Sequence, residues 1–363
     1  MKVIHATEVD KGGTVTVMKH LALQQIASKK ITNVLCLIPD NSNMEFLEIP
    51  KKNIRAYPST GRNLVSFIYF FIFFIRTIWI EKPDIVHLHS TFAGILGRLS
   101  LLLLSPFRKP KVIYCPHGFS FLMEGSQYKK KLFSKVELFL SRFTNKIICV
   151  SNYEKKSAVS SSLPNEKIAV IHNCVPIPNK YYRSIATPYD KRKINFLFAG
   201  RLDPAKGFDI LLTAMRSIKN SSIHLTVAGI NENEVKPEDR LQNITYKGWL
   251  SANDLTPYIM HADVLVLPSR WEGFPMVVLE AMSWGVPVVA SDCTSLSEAV
   301  QHTETGLLFE TSNTEQLATI LSTTPITRWK EMGKRGEEAF LKNFTSSVMT
   351  DSTLDLYYSV LRT

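Results

Sequence analysis

The sequence predicts an α/β protein with two doubly wound, parallel-sheet domains. The chain has 363 residues, a length that suits two domains of roughly 100 to 200 residues each. Short runs rich in valine and isoleucine alternate with longer helical patterns, and this order occurs twice. The runs lack polar alternation, which is typical of strands that helices cover on both faces. Two βα arrays, each forming one parallel sheet, account for these observations.

Each half of the chain contains six strand candidates. In the first half they are residues 2–5, 34–38, 84–89, 111–115, 146–150 and 168–171. In the second half they are residues 194–199, 223–228, 244–246, 263–267, 286–290 and 307–309. Most of the segments between them are long enough for the helical crossovers that parallel strands require.

A proline-rich segment separates the two arrays. Residues 175–178 read Val-Pro-Ile-Pro, and a polar stretch follows to Lys193. Such sequence cannot continue either hydrophobic core. We therefore predict a first domain at 1–178, a second domain at 190–345, and a terminal helix at 346–363 that crosses back to the first domain.

The charge of the chain is divided unevenly. Residues 1–183 carry 26 basic and 11 acidic residues, whereas the remainder carries 17 and 21, so a net charge of +11 splits into +15 and −4. This split indicates that the first domain faces a polyanion or an anionic bilayer. The densest basic group, here called the lysine cluster, follows the apolar residues 119–123, an order typical of an interfacial helix or loop. The lysine cluster comprises Lys129, Lys130, Lys131 and Lys135.

Residues 64–80 are a second candidate for membrane contact. They form an apolar segment with a single charge, Arg76. A spanning helix needs about 20 apolar residues, and the next strand has to return to the same sheet. An ordinary buried helix is the favoured interpretation, and an interfacial membrane contact is the alternative.

Several familiar signals are absent from the sequence. The five cysteines form no Cys-x-x-Cys pair, so neither a disulfide framework nor a zinc site is indicated. The first residues lack the apolar stretch of a signal peptide. No Asp-x-Asp pair of metal-binding carboxylates occurs. We therefore expect a cytosolic protein that uses no metal or other cofactor.

The most specific motif is the segment 269–285, which reads SRWEGFPMVVLEAMSWG. A strand ends before it, a turn follows, and the next helix is apolar nearly all round, as a buried helix should be. The N-terminus of that helix offers free backbone N–H groups to an anion. Glu280 is a lone carboxylate in this helix and needs hydrogen-bond donors, which a ribose diol would supply. Glu272 lies in the turn. The alternative is that both carboxylates pair with Arg270 and another base.

Two cations follow the first strand of the second array. Arg201 and Lys206 come just after the carboxyl end of that strand, where open α/β sheets bind ligands. A planar guanidinium and a compact ammonium suit a diphosphate. Taken alone, such a pair more commonly belongs to a solvated loop, and its significance comes from lying in the same array as Glu272 and Glu280.

Residues 200–207, GRLDPAKG, and the Glu272-x7-Glu280 pair together resemble the C-terminal signature of the retaining family 4 glycosyltransferases. The resemblance covers essentially the whole chain. It implies the GT-B fold, in which two Rossmann-like domains face a central cleft. It also implies that Glu280 holds the donor ribose, that Glu272 contacts the donor sugar, and that Arg201 and Lys206 neutralise the nucleoside diphosphate. The further donor contacts that it implies are Phe274, Met276 and Val277, mainly through their backbone amides, and Lys247 and Leu250 in a loop beside the base.

The same resemblance assigns two positions in the first domain. Gly13, in a Gly-Gly loop after the first strand, would approach the diphosphate. His117, which ends a predicted strand, would lie beside the reacting sugar. His5, His89 and His172 also lie at strand ends, and most of these histidines are expected to be structural.

The implied activity is retaining, metal-independent sugar transfer from a nucleotide-sugar donor, expected to be UDP-linked. The segments 89–98 and 116–121 resemble transferases that extend bacterial surface glycans such as O-antigen on a polyprenyl diphosphate. The expected partners are the donor, the lipid-linked glycan and an anionic membrane surface, with the enzyme on the inner face of the cell membrane.

Other functions were weighed against this one. A sugar-nucleotide epimerase of the same fold and a phosphorylase are the alternatives among enzymes. A nucleic-acid-binding protein is the alternative from another class. It is disfavoured because the aromatic residues cluster in an apolar run and not in a basic groove.

Overall fold

The computed structural model describes residues 1–42, 45–122, 126–179, 182 and 184–362. The chain divides into two compact units. Unit 1 contains Met1–Cys174 and Ser346–Thr363, and unit 2 contains Val175–Thr345. The chain thus passes from unit 1 to unit 2 immediately before the proline-rich segment, and its terminal helix belongs to unit 1.

Unit 1 is built on a seven-stranded parallel sheet with the order β3-β2-β1-β4-β5-β6-β7. Its strands are β1 (Lys2–Thr7), β2 (Asn33–Pro39), β3 (Ile54–Tyr57), β4 (Ile85–His89), β5 (Lys111–Cys115), β6 (Lys146–Cys149) and β7 (Ile168–Val170). Six of the seven were predicted. The strand that the sequence analysis missed, β3, lies at the edge of the sheet, where only Tyr57 is buried, so its sequence has no apolar run.

The helices of unit 1 are α1 (Gly13–Ala27), α2 (Leu64–Glu81), α3 (Thr91–Leu104), α4 (Gln127–Ser141), α5 (Asn152–Ser160) and α12 (Ser346–Leu361). The connections β3 to β4, β4 to β5 and β5 to β6 all advance across the sheet in one direction. Right-handed crossovers therefore place α2, α3 and α4 on the same face of the sheet. The connection from β1 to β2 runs in the opposite direction, which places α1 on the other face, where α12 packs against it.

Unit 2 is built on a six-stranded parallel sheet with the order β10-β9-β8-β11-β12-β13. Its strands are β8 (Ile194–Ala199), β9 (Ile223–Ala228), β10 (Ile244–Tyr246), β11 (Val264–Leu267), β12 (Val288–Ser291) and β13 (Gly306–Phe309). Its helices are α6 (Phe208–Ser217), α7 (Ala252–His261), α8 (Met276–Ser283), α9 (Leu296–Ala299), α10 (Thr314–Thr323) and α11 (Ile326–Asn343). All six predicted strands are present, and the predicted class of two Rossmann-like α/β domains is confirmed.

The expectation of an ordinary buried helix at 64–80 is wrong for one face of α2. Asn63 caps the helix by accepting from the N–H of Ser66 at 3.0 Å, and Phe70 and Phe74 are fully buried in the core. Only 28% of the helix is buried, and its length and composition would suffice to cross a membrane. Large apolar side chains cover its outer face; they are Leu64, Val65, Ile68, Tyr69, Ile72, Trp79 and Ile80.

A buried ion pair joins α3 to α4. Arg98 Nη2 lies 2.8 Å from Glu137 Oε2, and both side chains are almost completely excluded from solvent. The hydroxyl of Tyr114 donates to the other carboxylate oxygen at 2.8 Å, and the Arg98 guanidinium lies 4.1 Å from the Tyr114 ring centroid. Such a pair is costly to break, because removing one partner leaves the other charge buried and uncompensated.

We expect Glu137→Ala to lower the free energy of unfolding of unit 1 by about 3–5 kcal/mol, because it strands Arg98 in the core. Glu48→Ala is the matched control, since Glu48 pairs with Lys19 at 2.9 Å on the exposed surface, where a pair contributes about 0–1 kcal/mol. Urea unfolding of the full chain measures both changes. Equal losses in the two variants would contradict the importance of the buried pair.

Candidate functional site

In unit 2, two loops meet where the strand order reverses between β8 and β11. Open α/β sheets bind ligands at this position, outside the carboxyl ends of the strands. A side chain at Gly207 would place its Cβ 2.0 Å from the carbonyl oxygen of Pro268, and Gly207 has a φ of 65°. Only glycine allows this approach. The N–H of Arg270 also donates to the carbonyl of Ala205 at 2.8 Å, so the loops after β8 and β11 form one unit.

Lys206 and Glu272 contact each other across these loops. Lys206 Nζ lies 2.7 Å from Glu272 Oε1, and the Ser269 hydroxyl donates to the same oxygen at 2.7 Å. Arg270 is not their partner, because it forms a two-pronged pair with Asp209 at 2.6 and 2.8 Å. Glu272 thus pairs with a base, as the alternative has it, but that base is Lys206 and not Arg270.

The backbone of Glu272 is held by residues that the sequence analysis missed. Its N–H donates to the Thr294 hydroxyl at 3.0 Å, and its carbonyl accepts from Thr294 at 2.9 Å and from Ser295 at 3.2 Å. These hydroxyls follow β12, in a stretch whose sequence is indistinguishable from that of an ordinary polar loop. Glu272 is consequently fixed at both its side chain and its backbone.

Helix α8 begins beside this pair with its N-terminus uncapped. Pro275 precedes the first residue, Met276, and no side chain caps the helix. The N–H groups of Met276 and Val277 lie in the first turn, at the positive end of the helix dipole. Phe274, in the turn before the helix, is buried. This end of α8 can receive an anion.

Glu280 lies four residues after Met276, on the same side of α8. Among the residues that the structure describes, its carboxylate has neither a hydrogen bond nor an ion pair. Desolvation raises its pKa from 4.5 to about 7. A half-buried carboxylate without donors is unfavourable in the free protein, and a ligand with hydroxyl groups would relieve it.

The remaining predicted donor residues lie near this edge of the sheet. Arg201, directly after β8, is exposed. Lys247 follows β10, where its N–H donates to the carbonyl of Val227 at 2.9 Å and its side chain is exposed. Leu250 is half-buried in the same loop. Their position fits the predicted roles, and contact with a ligand stays a prediction for each of them.

In unit 1, the predicted glycine loop and His117 lie at the carboxyl edge of the sheet. Gly13 begins α1, and Gly12 before it has a φ of 98° with nothing within 4 Å of an added Cβ. His117, after β5, has a φ of 53°. Glu154 fixes the loop that carries His117, because its carboxylate accepts from the N–H groups of Gly118 at 2.9 Å and Phe119 at 3.1 Å.

Glu154 and Glu8 are buried carboxylates that the sequence analysis missed. Glu154 belongs to a Ser151-x-x-Glu154 sequence, the capping-box signature of a helix start, which was the available signal. Burial raises the pKa of Glu154 to about 7. Glu8 accepts from the Ser90 hydroxyl, from the N–H of Ala93 at 3.0 Å and from Arg62 at 3.3 Å. It thereby ties the end of β1 to the start of α3.

Four histidines, from β1, β4 and the loop after β5, lie close together. His5 lies 2.9 Å from His89, which lies 2.9 Å from His117, and these distances join ring nitrogens. His87 stacks on His89 with the ring centroids 4.1 Å apart. One nitrogen from each of His5, His87 and His89 could in principle bind a metal ion, because the three lie within 4.8 Å of one another. His172 lies apart, bonded to the carbonyl of Val150 at 3.0 Å.

The lysine cluster lies on α4, and the apolar segment before it differs from expectation. Phe119 and Phe121 are buried in the core with their rings stacked 4.7 Å apart, so they cannot enter a headgroup layer. Residue 123 lies outside the described residues. The exposed apolar residues belong to α4 itself and include Tyr128, Leu132 and Phe139.

Comparisons with known proteins agree with this architecture. The model described as Glycosyltransferase Family 4 matches residues 11–177, and the model described as Glycosyl transferases group 1 matches residues 193–324. A Klebsiella pneumoniae relative named "Uncharacterized 41.2 kDa protein in cps region" is 34% identical over 99% of this chain and 100% of its own. An Escherichia coli relative named UDP-Gal:alpha-D-GlcNAc-diphosphoundecaprenol alpha-1,3-galactosyltransferase is 28% identical over 85% of each chain.

The solved structure of Anabaena Alr3699/HepE, in complex with UDP and glucose, has the same fold. Its TM-score is 0.81 with 17% identity, over 99% of this chain and 100% of that one. The two Rossmann-like units and the matching models define a glycosyltransferase of GT-B fold. The chain belongs to the glycosyltransferases, with a family 4 match over its first domain and a group 1 match over its second, so the predicted family and enzyme class are confirmed.

We expect Glu280→Gln to raise the melting temperature at pH 8 more than at pH 5. The folded protein holds the proton of Glu280 up to about pH 7, whereas an unfolded glutamate releases it near 4.5. The resulting stability is therefore present below pH 4.5 and is lost as the pH rises through 7. Glu338→Gln, at an exposed position of α11, is the control. A shift that does not depend on pH would show that Glu280 is not desolvated.

Proposed function

We propose that this enzyme transfers a sugar from a UDP-linked donor to a glycan on a polyprenyl diphosphate, with retention of configuration, in bacterial surface-polysaccharide biosynthesis. The proposed binding of a UDP-linked donor rests on the unpartnered carboxylate of Glu280 beside the uncapped N-terminus of α8. The names of relatives support the acceptor half. The Escherichia coli relative is named for UDP-Gal and a diphosphoundecaprenol acceptor, and the Klebsiella pneumoniae relative for a cps region.

The donor is proposed to bind by three kinds of contact. The ribose diol donates to Glu280, which favours the charged carboxylate. Arg201, Lys206 and the N–H groups at the start of α8 surround the diphosphate. The diphosphate then competes with Glu272 for Lys206. The Glu272 oxygen released from that ion pair accepts a hydrogen bond from a hydroxyl of the sugar.

The charge that develops on the leaving diphosphate is proposed to be stabilised by side chains and backbone N–H groups alone. Electrostatic stabilisation of this kind is typically the largest single contribution to catalysis. Arg201 and Lys206 supply two positive charges at the edge of the sheet where the leaving group would form. The chain therefore needs no divalent cation for this step.

Donor binding is expected to depend on Arg201 and Glu280 together. Arg201→Ala and Glu280→Gln should each lower the transfer rate about a hundredfold or more, because each removes a placed polar contact. Calorimetry with UDP measures the loss of affinity directly. Lys219→Ala, at an exposed position of unit 2, is the control. Wild-type turnover in both variants would refute the assignment of the donor site.

Activity is expected to survive chelation. After dialysis against EDTA, transfer from a UDP-sugar should proceed at the original rate, since cationic side chains and N–H groups neutralise the diphosphate. Metal analysis of the dialysed enzyme serves as the control. Complete loss of activity that magnesium or manganese restores would mean that the leaving group is stabilised differently.

We further propose that unit 1 binds the inner surface of the cell membrane through the α2–α4 face, defined as the outer sides of α2, α3 and α4. Ile72 on α2 is 53% exposed, Leu103 on α3 is 64% exposed, and Tyr128 on α4 is 78% exposed. The lysine cluster lies on α4. An apolar surface flanked by lysines is attracted to anionic headgroups, by about 1 kcal/mol for each basic residue near them.

Flotation with anionic liposomes tests this face. Replacement of Lys129, Lys130 and Lys131 by glutamate should release the protein, and so should Ile68→Glu with Ile72→Glu. Replacement of Lys219, Lys236 and Lys334 by glutamate is the matched control, because it changes the net charge equally within unit 2. UDP binding should persist in all three variants. If the control variant is also released from the liposomes, binding depends on net charge alone, and the proposal for the α2–α4 face is wrong.

A further inference from the structure

A continuous hydrogen-bonded chain runs through the core of unit 1 and ends at His117. Gln25 Oε1 lies 2.8 Å from His5 Nε2, His5 Nδ1 lies 2.9 Å from His89 Nε2, and His89 Nδ1 lies 2.9 Å from His117 Nε2. Gln25, His5 and His89 are fully buried, and His117 is half-buried. His117 Nδ1 has no hydrogen-bond partner among the residues that the structure describes.

The number of protons in this chain restricts its direction. Burial lowers the pKa of His5 and of His117 to about 4 and the pKa of His89 well below its usual value, so all three rings are neutral near pH 7. A neutral imidazole has one N–H and one lone pair. Each of the three contacts needs one proton, and the three rings carry three in total. The proton positions therefore follow from the group at the inner end of the chain.

Gln25 is that group, and its amide orientation decides the outcome. If the amide oxygen faces His5, the protons lie on Nε2 of His5, His89 and His117, and His117 Nδ1 is left with a lone pair. If the amide nitrogen faces His5, every ring reverses and His117 Nδ1 carries the proton. The two orientations thus give His117 opposite hydrogen-bonding characters.

The structure has the first orientation. Gln25 Oε1 lies 2.8 Å from His5 Nε2, and the amide nitrogen of Gln25 is buried without a hydrogen-bond partner among the described residues. The hydroxyl of Tyr357 lies 2.7 Å from Nδ1 of His87, a ring that lies beside the chain without belonging to it.

We propose that Gln25, acting through His5 and His89, fixes His117 in the Nε2–H tautomer, so that His117 Nδ1 accepts a hydrogen bond from a hydroxyl of a substrate sugar. The contact between His117 and the sugar rests on the proposed function, whereas the tautomer does not. Gln25, His5 and His89 are positioning residues. The unpartnered nitrogen of His117 is explained as well, because the substrate supplies its missing donor.

The three-histidine group is an alternative use of the same nitrogens. A metal ion shared by His5, His87 and His89 would require lone pairs directed at one point, whereas His5 Nδ1 and His89 Nε2 already face each other at hydrogen-bonding distance. His87 and His89 also stack with an interplanar angle of 28°. The geometry therefore favours protons between these nitrogens.

Nitrogen NMR of the full chain labelled with ¹⁵N-histidine tests the proposal, because the two tautomers differ in their ring ¹⁵N shifts. The His117 signals are assigned by their absence in His117→Ala. In the wild type we expect a single Nε2–H tautomer at His117. In Gln25→Met we expect a mixture, because the anchoring acceptor is gone. Gln24→Met, at the exposed neighbouring position of α1, is the control and should leave the spectrum unchanged.

Gln25→Leu is the second variant, in case Gln25→Met does not fold. It also removes the amide oxygen that faces His5 and should likewise give a mixture of tautomers. An Nδ1–H tautomer in the wild type, or an unchanged His117 spectrum in both variants, would overturn the proposal. One equivalent of bound metal that disappears in His87→Ala would overturn it too.

Kinetics separate this proposal from the proposed function. Gln25→Met should lower kcat about tenfold, the effect of one placed hydrogen bond, and leave the affinity for UDP unchanged. A protein that shows the expected tautomers but neither binds UDP nor transfers sugar would contradict the proposed function alone. A protein that binds UDP and transfers sugar but lacks the expected tautomers would contradict the inference alone.

Discussion

Both candidate sites depend on one constraint, which is that a polar group withdrawn from water has to find hydrogen-bond partners within the protein. The parallel sheets bury their strands on both faces, so polar side chains collect where the strands end. Glu8 and Glu154 in unit 1 and Glu272 in unit 2 follow this rule, each with three or more hydrogen bonds at its carboxylate or its backbone. These bonds hold the loops that carry the chemistry.

Glu280 and His117 depart from the same rule, and their departure is informative. Neither the carboxylate of Glu280 nor Nδ1 of His117 has a partner among the described residues. One can accept donors from a ribose and the other a donor from a sugar hydroxyl. These unsatisfied acceptors at the carboxyl edge of each sheet are where we propose that hydroxyl groups of the substrate bind.

The sequence was sufficient for most of the fold because a strand buried on both faces leaves a continuous apolar run. It was insufficient for β3, since an edge strand with Arg55 and one buried residue leaves no such run. It identified Glu272 and Glu280 through a specific motif, but it could not show that Lys206 pairs with Glu272, 66 residues away. The sequence also could not predict the hydrogen-bonded chain of Gln25, His5 and His89. Its members come from α1, β1 and β4, and only the pairing of β1 with β4 and the packing of α1 against β1 bring them together.

The two membrane candidates in the sequence, 64–80 and the lysine cluster, belong to one surface for a topological reason. The strand order makes the crossovers through α2, α3 and α4 advance in the same direction, so right-handed connections place all three helices on the same face. The buried pair of Arg98 and Glu137 then fixes α4 against α3, while α2 packs along the other side of α3.

Phe119 and Phe121 do not lie on this surface, because both pack in the hydrophobic core of unit 1. The apolar residues of α2 remained exposed because the core of unit 1 needs only one of its faces. In the proposed membrane contact, the lysines and the exposed apolar side chains would therefore act on a bilayer together, with α4 supplying charge and α2 supplying apolar area.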